Sequence, residues 1–477
     1  MAGRRRGNAP YRGCMGSNVR QLEGTCMPST TTIPHPPRRV PILGDVFGID
    51  PETPNQTTLV RFEELGPIYR RSILGTDLTF VGSPDLAAEI FDESTWEKFV
   101  GRPLEQLRPL IGDGLFTAYS WESNWSKAHE VLMPAFTKES MVSYHDTMVA
   151  VTDELCAHLS SQEGAPVPVV DAMGGLTLEV IGRCGFGYSF DSFHHSDHPF
   201  VAALTRSLTY AQKSGIPIPF IGKLLRRTEE KQNTADRALL VETVDGVIAE
   251  RQRTGERRND LLDRMLHPEG DVTLDPENIR NQVLTFLIAG HETSVNSLSF
   301  AFHFLAQHPD VAEKVRAEAS QVFGESVPKY EDVARLRYTR QVISEAMRIW
   351  PAAPGFFRAA KRDTTVGEYA FAEGEWAFVL LLAVQRDKKA WGEDADQFNP
   401  DRFSPENARG RAPELFKPFG TGIRSCIGRQ FALHEMALAI ATVLTQFSVT
   451  AEPGYELEVE ETLTLRPKNL KLSFTPR

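Results

Sequence analysis

The spacing of apolar and polar residues divides the chain into a short alternating part, a long helical part and a mixed C-terminal part. Residues 66–83, "GPIYRRSILGTDLTFVGS", alternate around a glycine turn and predict a small β-hairpin. From about residue 84 to 350, apolar residues recur with the period of an α-helix. After that, short runs broken by glycine and proline predict small strands, and residues 455–475 alternate like a second hairpin. The predicted fold class is mainly α with small β-sheets.

Capping residues place several of the helices. The stretch "SPDLAAEIFDES" opens with a serine cap and a proline at the first helical position. Helical spacing also runs through residues 123–136 and 237–252. The longest helix is predicted from about Pro276 to His308, with Asp275 as its cap and Pro309 as its stop. One more helix is expected after Cys426.

Composition and charge narrow the class of protein. The chain has 477 residues, of which 41% are hydrophobic and 24% charged, as in ordinary globular proteins. A net charge of -11 argues against a nucleic-acid partner, and no apolar run is long enough for a membrane span. Five scattered cysteines indicate a reducing compartment rather than a disulfide framework, so a cytoplasmic protein is expected. The cysteines are Cys14, Cys26, Cys156, Cys184 and Cys426.

The N-terminal segment differs from the rest of the chain. Residues 1–35 are basic and rich in glycine and proline but lack the apolar centre of a signal peptide, which predicts a disordered extension. Translation could begin at Met1, Met15 or Met27, and a mitochondrial presequence is an alternative for an arginine-rich start. Residues 36–477 are expected to form a single domain.

A lone cysteine in a glycine-rich loop is the first candidate for chemistry. In "FGTGIRSCIG", no second cysteine lies near Cys426, which disfavours zinc, and no base for a nucleophile can be named. The G-x-G-x-x-G pattern of dinucleotide-binding proteins fails because residue 425 is serine. A thiolate at the start of a helix suits axial ligation of haem iron. The alternative is a small buried hydrophobic residue.

A second stretch, "LIAGHETS", lies inside the predicted long helix. The zinc-protease pattern H-E-x-x-H fails because residue 295 is valine. An acid and an alcohol remain, Glu292 and Thr293, beside Gly290, where a widened helical turn would admit a small ligand such as dioxygen. The alternative is a threonine that hydrogen-bonds back to its own helix.

A third stretch, "EAMR", places Glu345 and Arg348 on one helix face. A surface ion pair is the default interpretation. Because apolar residues surround the pair, a buried pair that needs further donors is the alternative, with Arg402 as a third member. A separate sequence, "FHHSDHPF", holds His194, His195 and His198, which we interpret as a polar turn rather than a metal cluster.

Together these stretches resemble the cytochrome P-450 family of haem-thiolate monooxygenases. The loop matches F-x-x-G-x-R-x-C-x-G, the long helix matches A-G-x-[DE]-T, and the third stretch matches E-x-x-R. A W-x-x-x-[RH] pattern is also present. The matching residues are Phe419, Gly422, Arg424, Cys426, Gly428, Ala289, Gly290, Glu292, Thr293, Glu345, Arg348, Arg402, Trp125 and His129. The resemblance covers roughly residues 40–477 and implies the family fold, with the long central helix over haem b.

The resemblance also implies roles for these residues. Cys426 would be the axial iron ligand, Glu292 and Thr293 would manage protons during dioxygen activation, and Glu345, Arg348 and Arg402 would form a structural ion network. The expected cofactor-binding residues are Trp125, His129, Phe419, Gly422, Arg424, Gly428 and Arg358. The expected substrate pocket is lined by Phe116, Ala289, Thr293, Ala353, Pro354, Phe356 and Leu463.

Within the family the chain most resembles the haem domain of the self-sufficient bacterial fatty-acid hydroxylases. Those enzymes continue into a flavin reductase, whereas this sequence ends at Arg477. The expectation is that electrons come from NAD(P)H through a separate ferredoxin, with its reductase, or a flavodoxin-type donor. Those enzymes also hold the substrate carboxylate with an arginine and a tyrosine, and the matching positions here are Thr76 and Phe80.

The apparent loss of that carboxylate anchor shapes the expected substrate. The first expectation is a cytoplasmic bacterial monooxygenase that hydroxylates or epoxidises a hydrophobic polyketide or macrolactam-type natural product in secondary metabolism, such as antibiotic biosynthesis. The alternative is a fatty-acid hydroxylase. A peroxide-driven peroxygenase is disfavoured because the acid–alcohol pair is present, and a non-catalytic haem sensor is the remaining class.

Overall fold

The computed structural model describes residues 31–194, 198–215, 227–324 and 326–477. Residues 1–30, with Met1, Met15, Met27, Cys14 and Cys26, lie outside the described residues, as does His195. Residues 31–35, which were expected to belong to a disordered extension, are described. The Thr31 amide donates to the carbonyl of Glu368 at 3.1 Å, and Ile33 is buried.

Helices make up most of the described chain, as the apolar spacing predicts. The α-helices are α1 (Pro54–Leu65), α2 (Pro84–Ile90), α3 (Arg102–Glu105), α4 (Arg108–Ile111), α5 (Ser123–Leu132), α6 (Lys138–Ser161), α7 (Val169–Phe186), α8 (Pro199–Gly215), α9 (Arg227–Thr254), α10 (Leu261–Leu266), α11 (Pro276–Gln307), α12 (Pro309–Phe323), α13 (Tyr330–Val333), α14 (Arg337–Ile349), α15 (Leu381–Val384), α16 (Lys388–Trp391), α17 (Pro405–Ala408) and α18 (Arg429–Gln446). Short 3-10 turns cover Met133–Phe136, Pro400–Phe403, Pro413–Leu415 and Gly422–Arg424.

The strands are short and fall mostly where alternation predicts them. They are β1 (Ile68–Ile73), β2 (Thr76–Val81), β3 (Trp96–Lys98), β4 (Pro166–Pro168), β5 (Gly355–Ala360), β6 (Thr364–Val366), β7 (Tyr369–Phe371), β8 (Trp376–Leu380), β9 (Phe447–Ala451), β10 (Val459–Glu461), β11 (Leu465–Pro467) and β12 (Lys471–Pro476). They form a five-stranded sheet in the order β1-β2-β8-β5-β3, a three-stranded sheet β4-β12-β9, and the pairs β10-β11 and β6-β7.

The predicted first hairpin is present and its turn explains its register. Leu74 and Gly75 both have positive φ, 51° and 75°, so the two-residue turn is of the type that matches strand twist. Arg71 is then paired with Leu78, and Ile73 with Thr76. The hairpin is not isolated, because β2 pairs with β8 in parallel and so joins the larger sheet.

The long helix α11 lies at the centre of the fold. The Asp275 carboxylate accepts the Asn278 amide at 2.8 Å and caps its start, as predicted, and Pro309 begins the next helix. It packs against α7, α14 and α18 and is buried along most of its length. The tail prediction is only partly right, because the C-terminal β12 pairs with β9 and β4 rather than with the β10-β11 hairpin.

Candidate active site

A cavity of about 520 Å³ lies between α11, the loop before α18 and the five-stranded sheet. It meets most of the site residues expected from the sequence. Those on its wall are Phe116, Trp125, His129, Ala289, Thr293, Ala353, Pro354, Phe356, Arg358, Phe419, Arg424, Cys426, Gly428 and Leu463. Glu292 and Gly422 do not line it, and Glu345, Arg348 and Arg402 lie elsewhere in the interior.

Cys426 lines this cavity and is an exposed residue in the structure. The Cys426 amide donates to the carbonyl of Phe419 at 2.8 Å, which closes the loop. Burial raises the pKa of the Cys426 thiol, while the Gly428 amide and the charge of Arg429 act in the opposite direction. The helix α18 begins directly after Gly428, so the sulfur sits at a helix N-terminus.

The glycines of the loop have different reasons to be glycine. Gly420 and Gly422 have positive φ, 75° and 67°. A Cβ at Gly422 would collide with the carboxylate of Glu93, which accepts the Ile423 amide. Gly422 therefore shapes the loop and does not itself line the cavity, so its expected role in binding the cofactor stays a prediction. At Gly428 the nearest atoms to an added Cβ would be 3.8 and 4.0 Å away, so the described residues do not require a glycine there.

The expected propionate-binding residues form one cluster. The Arg424 guanidinium lies 4.1 Å from the centre of the Trp125 ring, and that ring stacks on His129. Arg424 donates to the carbonyls of Ala118 and Tyr119 at 3.4 and 3.3 Å. Burial lowers the pKa of Arg424 to about 10, and burial together with Arg424 lowers the pKa of His129. The surroundings of Arg424 therefore compensate its positive charge only in part.

Two further cations complete this cluster, and sequence reasoning missed one of them. Arg358 is buried on β5, donates to the Thr421 carbonyl at 3.3 Å and stands 3.9 Å from Glu93. Lys98, at the end of β3, also lines the cavity and was not predicted. Burial lowers the pKa of Lys98 to about 7, with Arg424 and Arg358 acting in the same direction. No motif in the sequence marks Lys98, because its position depends on the pairing of β3 with β5.

Lys98, Arg358 and Arg424 are suited to bind a ligand that carries two negative charges. Neither Lys98 nor Arg424 takes part in an ion pair within the described parts of the chain, and neighbouring Glu122 already pairs with Arg108 at 2.6 Å. Haem carries two propionate carboxylates, and charge-assisted bonds to such groups would relieve the cost of burying like charges together. With Cys426 facing the same cavity, the residues present suit haem with a thiolate ligand.

The acid and the alcohol of α11 point in different directions. The Thr293 hydroxyl donates to the Ala289 carbonyl at 2.6 Å, so it hydrogen-bonds back to its helix, and α11 continues through this segment without the widened turn that we expected. The Glu292 carboxylate accepts the hydroxyls of Thr462 and Thr464 at 2.9 and 2.8 Å, and burial raises its pKa. A shared proton role for Glu292 and Thr293 stays a prediction, and it requires Glu292 to leave these threonines.

The third motif forms a buried network, as its apolar surroundings indicate. Glu345 and Arg348 have no exposed side-chain surface, and the Arg348 Nε and Nη2 donate to the carboxylate at 2.7 and 2.8 Å. The Asn399 amide donates to Glu345 at 2.9 Å, and Arg402 stands 3.4 Å from it. Arg348 also donates to the carbonyls of Gln385 and Ala395, so the network ties α14 to the segment that leads to the cysteine loop.

The histidine-rich turn holds no metal cluster in the described chain. His194 bonds to Asp191 at 2.6 Å and is exposed, and the Phe200 amide donates to His198 at 3.2 Å. No group of three or more histidine, cysteine or acidic side chains in the described ranges is arranged to hold a metal ion. Within the same ranges, no helix has the length and apolarity needed to cross a bilayer.

A helical fold with a central helix over an apolar cavity, a cysteine in a glycine loop and a ring of cations defines a haem-thiolate protein. The model of the cytochrome P-450 family matches residues 34–474. The chain therefore belongs to the cytochrome P-450 family, whose cofactor is haem b.

Curated relatives agree with this assignment. The bifunctional cytochrome P-450/NADPH–P-450 reductase of Bacillus cereus is 40% identical over 458 residues, which cover 94% of this chain and 42% of that protein. A protein of the same description from Bacillus subtilis is 38% identical, with 94% and 43% covered. A self-sufficient cytochrome P-450 monooxygenase of Exserohilum turcicum is 35% identical, again with 94% and 43% covered. The chain spans about two-fifths of the length of these relatives.

Proposed function

We propose that this chain is a haem-thiolate monooxygenase that hydroxylates a C–H bond of an elongated, mostly apolar molecule of the fatty-acid type. The observation that carries the proposal is that Cys426 lines a mostly apolar cavity together with three cations, the partly buried Lys98 and Arg424 and the buried Arg358. Such a cavity can bind haem and leave room for a second, apolar ligand.

The residues would divide the work as follows. Bound in the cavity, haem supplies the dioxygen activation and oxygen insertion, which no side chain can perform. Cys426 would ligate the iron, and Lys98, Arg358 and Arg424 would hold the propionates. Thr293 lines the cavity, and its hydroxyl would donate a proton there after leaving its bond to the Ala289 carbonyl. The apolar wall, including Phe116 and Leu463, would exclude water and orient the substrate.

The choice of substrate class differs from our first expectation. The polyketide or macrolactam prediction, and with it epoxidation in antibiotic biosynthesis, rested on the missing anchor at Thr76 and Phe80. None of the relatives supports it. The relatives instead support the alternative prediction, because they belong to the self-sufficient group that this sequence resembles.

Electrons would come from NAD(P)H through a reductase. The names of the Bacillus relatives join a cytochrome P-450 to an NADPH–P-450 reductase in one protein. The donor of this chain, whether ferredoxin or flavodoxin-type, stays a prediction. The acid–alcohol sequence Glu292-Thr293 favours dioxygen over peroxide as the oxidant.

The test uses the haem-loaded chain with NADPH, a surrogate ferredoxin and its reductase. The reduced carbon-monoxide complex should show the red-shifted Soret band of thiolate-ligated iron, and palmitate should yield hydroxypalmitate by mass spectrometry. Cys426→Ser should abolish both. A Soret band typical of histidine ligation would overturn the haem-thiolate assignment. A thiolate spectrum without turnover of any fatty acid would overturn the substrate class, and product formed only with peroxide would indicate a peroxygenase.

A further inference from the structure

A buried arginine lies on the wall of the substrate cavity. Tyr69, Arg71 and Ile73 share one face of β1, and their partners on β2 are Phe80, Leu78 and Thr76. Arg71, Ile73 and all three partners line the cavity. Arg71 is only 4% exposed, so its guanidinium is part of an otherwise apolar wall.

The partners of Arg71 are weak for a buried charge. Its guanidinium donates to the carbonyls of Asp45, Phe47 and Gly48 at 3.3–3.5 Å. The nearest carboxylate, that of Asp45, is already occupied, because Arg39 donates to both of its oxygens and the Ser72 amide donates to one of them. Arg71 belongs to no ion pair in the part of the chain that the structure describes. Burial lowers its pKa, as expected for a cation that lacks a counter-ion.

A second arginine lines the same cavity and contacts the hairpin. Arg102, at the start of α3, is exposed, lines the cavity and donates to the Thr76 hydroxyl at 3.0 Å. Thr76 pairs directly with Ile73, so it is a diagonal neighbour of Arg71 on the same sheet face. Arg71, Thr76 and Arg102 therefore all line the same cavity, Arg71 and Thr76 from the hairpin and Arg102 through its contact with Thr76.

We infer that Arg71, Arg102 and Thr76 form a subsite for the carboxylate head of an amphipathic substrate. The inference rests on the proposed function and specifies how its substrate is held. Guanidinium forks match carboxylate geometry, and the bound anion would supply the counter-charge that Arg71 lacks. The tail would extend along the apolar wall toward Cys426, so oxidation would fall on carbons far from the carboxylate.

This subsite replaces the anchor that the sequence comparison finds missing. Thr76 and Phe80 occupy the positions expected to bind the carboxylate, and neither carries a charge. The positive charge comes instead from Arg71, on the neighbouring strand, and from Arg102, on a different element. An anchor built from these residues does not follow the family motif, so matching position by position cannot reveal it.

The experiment measures binding of palmitate and of methyl palmitate to the haem-loaded chain, by the Soret shift and by calorimetry. The ester has the same tail but no charge. For Arg71→Met we expect palmitate to bind about ten- to a hundredfold more weakly while the ester is little changed, because hydrogen bonds to charged groups contribute roughly that much. Arg102→Met should give a smaller loss in the same direction, and Arg71→Lys should recover part of the preference for the acid.

Arg70→Met is the matched control. Arg70 is the neighbouring residue on β1, but it points to the opposite face, where it donates to Thr79 at 3.0 Å and stands 3.5 Å from Glu375. An equal effect of Arg70→Met would show general charge attraction and overturn the subsite. Equal losses for acid and ester in Arg71→Met would show that Arg71 only supports the loop of residues 45–48.

The Arg102 variant keeps the inference testable if Arg71→Met folds poorly, because Arg102 is exposed. An unchanged preference for the acid in Arg102→Met would then reject the subsite. Failure of the subsite alone leaves palmitate hydroxylation intact in the wild type. Failure of the proposed function would show instead as no binding and no turnover of either probe by the wild type.

Discussion

The protonation state of Glu435, a buried carboxyl group, can be tested quantitatively through the pH dependence of stability. It lies on α18 at 3% exposure, and its Oε1 has no hydrogen-bond partner within the described chain. Burial raises the pKa of Glu435 from 4.5 to about 8, and the hydrogen bond with Ser294 acts in the opposite direction. The side chain is therefore a neutral carboxylic acid at neutral pH in the folded protein.

The sign of the pH dependence follows from which state holds the proton. Between pH 4.5 and about 8 the folded chain keeps a proton on Glu435 that the unfolded chain has released. Stability from this group is therefore complete below pH 4.5 and falls as the pH rises, by up to about 1.4 kcal/mol per pH unit and about 5 kcal/mol in total. Glu435→Gln removes this dependence because the amide is neutral in both states.

The assay is guanidinium unfolding of the haem-loaded wild type and of Glu435→Gln, followed by circular dichroism at several values between about pH 5 and pH 8 and at constant ionic strength. The stability of the variant relative to the wild type should rise steadily with pH. A difference in stability between variant and wild type that does not change with pH reflects only how well the amide fits. The test is therefore the change of that difference with pH. Glu242→Gln, at an exposed position on α9, controls for loss of a surface carboxylate. Parallel pH curves for the wild type and Glu435→Gln would refute a protonated Glu435.

Three further outcomes are expected. Arg348→Leu leaves Glu345 buried without its partner and should cost about 3–5 kcal/mol in the free energy of unfolding, measured by denaturant titration; a loss below about 1 kcal/mol would contradict the buried pair. Gly422→Ala sets a Cβ against Glu93 and should lower haem content per chain, measured by absorbance. Gly420 also has positive φ, but the nearest atom to an added Cβ there is 3.7 Å away, so Gly420→Ala should lose less haem than Gly422→Ala. Equal losses of haem in the two variants would show that the collision with Glu93 has no effect. Lys98→Met removes one cation from the cavity and should speed haem transfer to an apo-globin several-fold, whereas an unchanged rate would exclude a propionate contact.

The cations that line the cavity also predict that haem binding stabilises the folded protein. Burial lowers the pKa of Lys98, Arg358 and Arg424; Arg424 and Arg358 lower the pKa of Lys98 further, and Arg358 lowers that of Arg424. A dianionic ligand would reverse this effect and would stabilise the folded state in proportion to its binding. Loading with haem should therefore raise the melting temperature.

Interactions between residues that are close in sequence determine several local elements of this structure. The cap at Asp275, the hairpin around Leu74 and Gly75, and the helix after Cys426 depend on chemistry between residues a few positions apart, so the sequence alone predicts them. The cysteine loop belongs to the same class, because its glycines and its sulfur lie within ten residues of one another.

Tertiary structure decided the features that depend on distant partners. Glu292 is turned toward Thr462, 170 positions along the chain, and no local pattern could indicate that direction. Lys98 reaches the cavity because β3 pairs with β5, and Arg71 faces it because β1 and β2 join the larger sheet through β8. Alternation along a strand separates its two faces, but only the packing of the sheet determines which face meets the cavity, and so which charges stay buried without a partner.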